Sequence, residues 1–304
     1  MKREHLKEGT YGVVLTPFDS DGRLIAMALR RELRHCVGDR TRGLVICGST
    51  GEFVYMDTAQ QKEVLRIAAE EVGNKKILIG GGSAATESGV RNLLQYISRL
   101  GYEYAMICPP YYYPQRPEDI LSFYEKISET APPEINILMY NIPFCAPEIP
   151  LIYMDKLMSL PNIIGMKDSS GNMQYFSKVM ALALEIRPEF ALFTGQDCTF
   201  LPSLSIGAKG CMSALSWILD GVMADILEAY QKNELKKAAE MQLKITRLVR
   251  HLDGIAFPEN YRILSEVIGV HVGMPQRSLH NLNAEFCSQW IARAAELVNG
   301  LGVK

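Results

Sequence analysis

The chain has 304 residues, with 32 Lys+Arg against 34 Asp+Glu and a formal net charge of −2. Its 48% apolar and 22% charged residues match a globular protein with a large core, and its length suits one α/β barrel, which needs about 250 residues, plus an addition. The balanced charge leaves no basic footprint for nucleic acid or an anionic membrane, and no apolar run reaches the roughly 18–20 residues of a membrane helix.

The charged amino terminus has no apolar stretch behind it, so no signal peptide is expected. The seven cysteines (36, 47, 108, 145, 198, 211 and 287) are odd in number and never spaced Cys-x-x-Cys. Neither a disulfide framework nor a structural zinc is therefore expected, and the expected compartment is the reducing cytoplasm. The five histidines (His5, His35, His251, His271 and His280) form no His-x-x-x-His pair. No metal is expected, and acid–base work falls to Tyr, Lys, Ser or carboxylates.

Short β-branched runs recur at 13–16, 44–47, 77–80, 105–108, 137–140, 163–166, 192–194 and 211–213, with helical patterns between them. Leu29, Leu33, Cys36 and Val37 share one helical face, as do Val64, Leu65, Ala68 and Val72, and Thr58-Ala59-Gln60-Gln61 reads as a capping box. The strands lack in/out alternation, as when both faces of a parallel sheet are buried. Eight β/α units in sequence predict a (β/α)8 TIM barrel over residues 1–230. Residues 231–304 read as a helical appendage packed on it, with helices at 234–251, 258–270 and 284–298. The last of these carries Phe286, Trp290, Ile291, Ala294 and Leu297 on one side.

Active sites of such barrels lie at the carboxyl ends of the strands. Strand six runs into Lys167-Asp168-Ser169-Ser170-Gly171. A lysine there points into the barrel mouth, where desolvation favours the neutral amine that attacks a ketone; the alternative is a lysine reaching solvent or paired with Asp168. Strand five ends in Tyr140-Asn141-Ile142-Pro143, placing a phenol for proton transfer, or merely a rim aromatic, one unit earlier. Gly48-Ser49-Thr50-Gly51-Glu52 after strand two is a turn whose amides and hydroxyls suit a carboxylate or phosphate. Gly80-Gly81-Gly82-Ser83 is a weaker signal of the same kind, without dinucleotide spacing. Tyr111-Tyr112-Tyr113, flanked by prolines, makes a stiff aromatic loop of the kind found at subunit interfaces. Jointly these describe a Schiff-base site for a 2-oxo acid.

Thr16-Pro17-Phe18, Gly48 to Glu52, Pro110 to Pro114, Tyr140 to Pro143 and Gly165 to Gly171 stand in the order and spacing of one family. Over essentially its whole length the chain resembles the dihydrodipicolinate synthase / N-acetylneuraminate lyase family of pyruvate-dependent class I aldolases. The resemblance implies Lys167 as the Schiff-base lysine and Tyr140 as the proton-shuttling tyrosine. Ser49 would relay protons to Tyr112 supplied across a dimer interface, and Thr50 with the Gly48 turn would hold the pyruvate carboxylate. Gln196 and Asp197 fall where the lyase branch contacts the distal substrate, and Met212 lines the pyruvyl pocket. The implied assembly is a homotetramer, a dimer of dimers. No cofactor or metal is implied.

One departure bears on substrate. Dihydrodipicolinate synthases generally carry an arginine five residues after the tyrosine; here that position is Cys145, which cannot make its bidentate carboxylate contact. The expectation is therefore cleavage or synthesis of a 2-keto-3-deoxy sugar acid or a sialic-acid-like substrate. The alternative is dihydrodipicolinate synthesis from pyruvate and aspartate semialdehyde. A non-catalytic 2-oxo acid sensor, the remaining class, needs no lysine–tyrosine pair.

Overall fold

A computed structural model describes residues 6–273 and 284–302; His5 and His280 lie outside them. Eight strands follow one another as β1 (Gly9–Val13), β2 (Gly43–Ile46), β3 (Ile77–Gly81), β4 (Tyr104–Ile107), β5 (Asn136–Asn141), β6 (Ile163–Asp168), β7 (Ala191–Thr194) and β8 (Gly210–Ser213). They close into a barrel in sequence order, the (β/α)8 architecture expected. Almost every strand residue is buried, which accounts for the missing alternation.

The first strand is a correction. It is Gly9–Val13, and residues 14–16 lie beyond its end. Gly12 obscured it, because a glycine there suggests a turn. Its role is close approach: a Cβ on Gly12 would meet the Trp217 Cβ at 3.0 Å. Strands β5 and β6 run past their expected ends, so Tyr140 and Lys167 lie inside the ladder as register partners, with Asn141 and Asp168 paired one step further on.

The crossover helices are α1 (Ala26–Val37), α2 (Thr58–Val72), α3 (Glu87–Arg99), α4 (Pro117–Thr130), α5 (Met154–Ser159), α6 (Met173–Ile186) and α7 (Phe200–Ser205). Helix α1 buries Leu29, Leu33 and Cys36, and α2 buries Val64, Leu65, Ala68 and Val72. The capping box of α2 sits one residue earlier than expected: Asp57 accepts from the Gln60 amide and the Gln60 side chain accepts from the Asp57 amide. Asp, with its short carboxylate, occupies the cap, and Thr58 becomes the first helical residue.

After β8 come α8 (Ala214–Ile218), α9 (Val222–Gln231), α10 (Leu235–Leu252), α11 (Glu259–Val267) and α12 (Ala284–Asn299). The apolar face of α12 is narrower than expected. Trp290, Ala294 and Val298 are buried at i, i+4 and i+8, whereas Phe286 and Ile291 are exposed. Trp290 fixes this register by stacking on His251 at 4.8 Å and donating its indole N–H to the His251 carbonyl at 3.2 Å.

Contacts group the chain into two compact units. One holds Thr10–Ile77 and the residues described from Ser213 onward; the other holds Leu78–Met212 with the chain up to Gly9.

Candidate active site

Lys167 and Tyr140 are both buried, at 4% and 3% exposure, and the lysine Nζ sits 4.6 Å from the centroid of the tyrosine ring. Burial lowers the Lys167 pKa to about 8, against the opposing pull of the Asp197 carboxylate and Cys211. The amine is thus nucleophilic at a pH where an exposed lysine is almost wholly protonated.

Asp168 is not the lysine's counter-ion. Its Oδ1 accepts from Asn141 Nδ2 at 2.7 Å and from the Ser170 amide at 3.2 Å, and its Oδ2 accepts from the Ser170 hydroxyl at 2.9 Å. Asn141 in turn accepts the Ile149 amide at 2.9 Å. Burial pushes the Asp168 carboxyl up, and the Asn141 and Ser170 donors oppose the shift. This pair laces β5 to β6 one residue beyond Tyr140 and Lys167.

Space around the lysine is set by Gly195. A Cβ there would fall 2.0 Å from Ser169 Oγ and 2.6 Å from Lys167 Cε, so any side chain would displace the amine's stem. Gln196 follows, with its side-chain Nε2 donating to the Ser169 carbonyl at 3.1 Å, and then Asp197, buried at 4% exposure. Met212 is fully buried in β8. Lys167, Tyr140 and Asp197 are thus brought together within one unit, with Gln196 beside them.

In the other unit Glu52 donates its amide to the Ser49 carbonyl at 3.0 Å, closing a turn after β2. That bond uses neither the Thr50 nor the Gly51 amide. Thr50 is buried and Ser49 half-buried. Gly51 is required by close approach, since a Cβ would lie 2.9 Å from the Val14 carbonyl oxygen. Cys47 and Glu52 flank the turn at φ 57° and 60°, the left-handed region that non-glycine residues rarely occupy and that clusters at functional sites.

Tyr112 shares that property, at φ 86°, and is 85% exposed with its ring edge-on to Tyr113 at 4.8 Å. Tyr111 is half-buried, and burial raises its phenol. Cys145 is exposed in the loop after β5, and partial burial of its thiol pushes its pKa up, so it is neutral at ordinary pH.

The sequence profile of the dihydrodipicolinate synthetase family matches residues 7–289. The chain belongs to that family. It is an enzyme of the lyase class, of the class I aldolase type. A curated relative from Prochlorococcus marinus, named 4-hydroxy-tetrahydrodipicolinate synthase, is 30% identical over 92% of this chain and 93% of its own. One of the same name from Methanococcoides burtonii is 28% identical over 91% and 94%. Among solved structures, a dihydrodipicolinate synthase from Cyanidioschyzon merolae with lysine bound superposes with TM-score 0.89 at 22% identity, covering 97% of this chain and 99% of its own. An N-acetylneuraminate lyase from Mycoplasma synoviae superposes with TM-score 0.84 at 22% identity, covering 96% and 98%. At that identity the two structures speak for the fold.

For a dihydrodipicolinate synthetase family member, sequence reasoning missed three features. Asn141 and Asp168 lie within the Tyr140–Pro143 and Gly165–Gly171 motifs, but only their register shows that they pair. Gly195 stands directly before Gln196 and Asp197, but its steric role shows only with the Lys167 stem in place. Arg262, the buried partner of Glu52, lies 210 residues away in sequence and has no local signal. Among the described residues no group of three or more His, Cys, Asp or Glu is placed to hold a metal ion, and no helix is long and apolar enough to cross a membrane.

Proposed function

We propose that this enzyme binds pyruvate or a related 2-oxo acid as an imine on Lys167 and makes or breaks the adjacent carbon–carbon bond. The observation that carries the reading is the desolvated Lys167 amine 4.6 Å from the Tyr140 ring. The neutral amine attacks the ketone carbon; Tyr140 passes protons to the carbinolamine oxygen, which leaves as water, and the C=N bond forms. Loss of a proton from the neighbouring methyl carbon makes an enamine, which adds to an aldehyde; hydrolysis then frees the product and restores the amine. Cleavage is the same sequence reversed. Thr50 and the turn from Gly48 hold the substrate carboxylate, Ser49 and Tyr112 relay protons, Gln196 and Asp197 meet the distal end of the substrate, and Met212 lines its pyruvyl end. The imine itself is the electron sink, so no metal is required.

Two acceptors have support from different observations. The curated relatives, named 4-hydroxy-tetrahydrodipicolinate synthase, favour condensation with aspartate semialdehyde. The neutral thiol of Cys145, at the position where the resemblance implies an arginine for a dihydrodipicolinate synthase, favours a neutral hydroxylated aldehyde and hence a 2-keto-3-deoxy sugar acid or sialic-acid-like substrate. Borohydride trapping with pyruvate tests the shared chemistry: one reduced pyruvyl group should appear on Lys167, and labelling elsewhere refutes it. Measuring kcat/KM for aspartate semialdehyde condensation against cleavage of sugar acids decides between the two acceptors.

A further inference from the structure

Glu52 and Arg262 are each 2% exposed, and together they form a fully desolvated ion pair between the turn after β2 and helix α11. Arg262 Nε donates to Glu52 Oε1 at 3.1 Å, and Nη2 donates to the same oxygen. The same Nη2 donates to the Thr16 carbonyl at 2.9 Å, and Nη1 donates to the Val272 carbonyl at 2.6 Å. Thr16 closes the circuit: its hydroxyl donates to the Gly51 carbonyl at 2.8 Å. One guanidinium therefore holds the residue that ends the turn and, through Thr16, the residue before it. The guanidinium also lies 5.8 Å from the Phe18 ring centroid, so the pair is walled by an aromatic.

A hydrophobic pair of similar volume would commonly stabilise a core as well as a buried ion pair does, because desolvating two charges is costly. Here the charges meet a geometric need. Glu52 sits at φ 60°, a conformation that persists in a non-glycine residue only when its surroundings over-determine it. Without the carboxylate–guanidinium contact the residue would relax toward φ below zero. The bond from the Glu52 amide to Ser49 would loosen, and the Thr50 and Gly51 amides would turn with it. Arginine suits the task because its planar fork reaches several acceptors at fixed angles, which a lysine cannot.

We propose that Arg262 and Glu52 are positioning residues that set the enzyme's affinity for the substrate carboxylate. The C-terminal helical segment thereby tunes 2-oxo acid binding without touching the substrate. The proposal rests on the reading of the Thr50 turn as the carboxylate site. A role confined to stability would impair any carbonyl substrate equally, whereas a role in the turn impairs only one bearing a carboxylate.

The test compares borohydride trapping at Lys167 with pyruvate and with hydroxyacetone, a neutral ketone of similar size, in the wild type, Glu52→Gln, Arg262→Lys and Thr50→Val. Glu52→Gln keeps the side chain's shape and one acceptor oxygen, and Arg262→Lys keeps the charge, so a folded variant is available from either side. Half-saturating pyruvate is expected to rise about tenfold in Glu52→Gln and Arg262→Lys, the size of one lost hydrogen bond to a charged group. Hydroxyacetone trapping and the maximal rate with pyruvate are expected to stay within twofold. Equal losses with both ketones, or no change with either, overturn the proposal. If Thr50→Val shifts the preference between the ketones while the other two variants do not, the positioning role falls and the carboxylate turn stands. If Thr50→Val also leaves the preference unchanged, the carboxylate reading falls and takes the proposal with it.

Discussion

Lys167 and Tyr140 face each other as register partners across β6 and β5, with the lysine Nζ 4.6 Å from the centre of the phenol ring. Adjacent parallel strands fix that separation through the ladder, so neither residue relies on a flexible loop for its place. The Asn141–Asp168 hydrogen bond at 2.7 Å secures the next rung. In the roles proposed for them, nucleophile and proton carrier, placement by the backbone pre-organises the pair and lowers the reorganisation needed at reaction.

The first prediction concerns pH. With its pKa lowered to about 8, Lys167 is ammonium below that value and nucleophilic amine above it. Imine trapping should rise with pH and level off above about 8, where an unperturbed lysine would keep rising toward about 10.4. Asp197 favours the ammonium, so Asp197→Asn should move the midpoint lower. A midpoint near 10, or one moved upward by the variant, contradicts the desolvation argument.

Tyr140→Phe keeps a buried ring and removes the hydroxyl. The melting temperature should change little, while turnover falls by roughly 10²–10⁴-fold, the usual worth of a positioned acid–base group. Turnover within a few-fold of the parent would make Tyr140 a packing residue only.

Gly195→Ala introduces one methyl group against Ser169 and the Lys167 stem. Overpacking of this kind costs roughly 1–3 kcal/mol, so the variant should fold with a lowered melting temperature. Trapping at Lys167 should fall far more than stability does, because the displaced stem carries the nucleophile. A variant that traps pyruvate at the parental rate would show that the lysine has room to spare.

Tyr112 is an exposed aromatic held at φ 86°, a combination that costs free energy and exposes apolar surface unless something covers it. A homodimer, or a homotetramer built as a dimer of dimers, is the expected working unit, with Tyr112 at its interface. Sedimentation should show no active monomer, and Tyr112→Ala should weaken association and turnover together. A fully active monomer removes both roles.

Cys145→Arg should raise kcat/KM for aspartate semialdehyde, since a hydrogen bond between charged groups contributes roughly 1.5–3 kcal/mol, equivalent to about 10–150-fold. The parent should accept neutral aldehydes better than the variant does. No change in preference would mean that the carboxylate is held by another loop.

The sequence alone determined the architecture. Eight apolar, β-branched runs separated by helical periods admit few solutions other than a closed parallel barrel, and the positions of Tyr140 and Lys167 at strand ends follow from the same pattern. Seven strands were legible to within a residue or two; β1 was not, because Gly12 signals a turn locally and a close approach to Trp217 only in the folded chain. The buried stripe of α12 is narrower than its periodicity for a similar reason: periodicity marks which residues can share a face, and packing against His251 keeps Trp290 and Ala294 and adds Val298. Within the site, the residue types and their order were legible because each sits beside a glycine, proline or strand end that marks it. Tertiary structure decided what those residues touch. Whether Lys167 pairs with Asp168 or stands desolvated beside Tyr140 depends on Asn141 and Ser170 occupying the carboxylate. That Glu52 answers to Arg262, 210 residues on, depends on where α11 comes to rest. Local patterns record a residue's backbone needs. The partner of a buried charge is set by the long-range fold, because desolvation obliges the charge to find one wherever the chain returns.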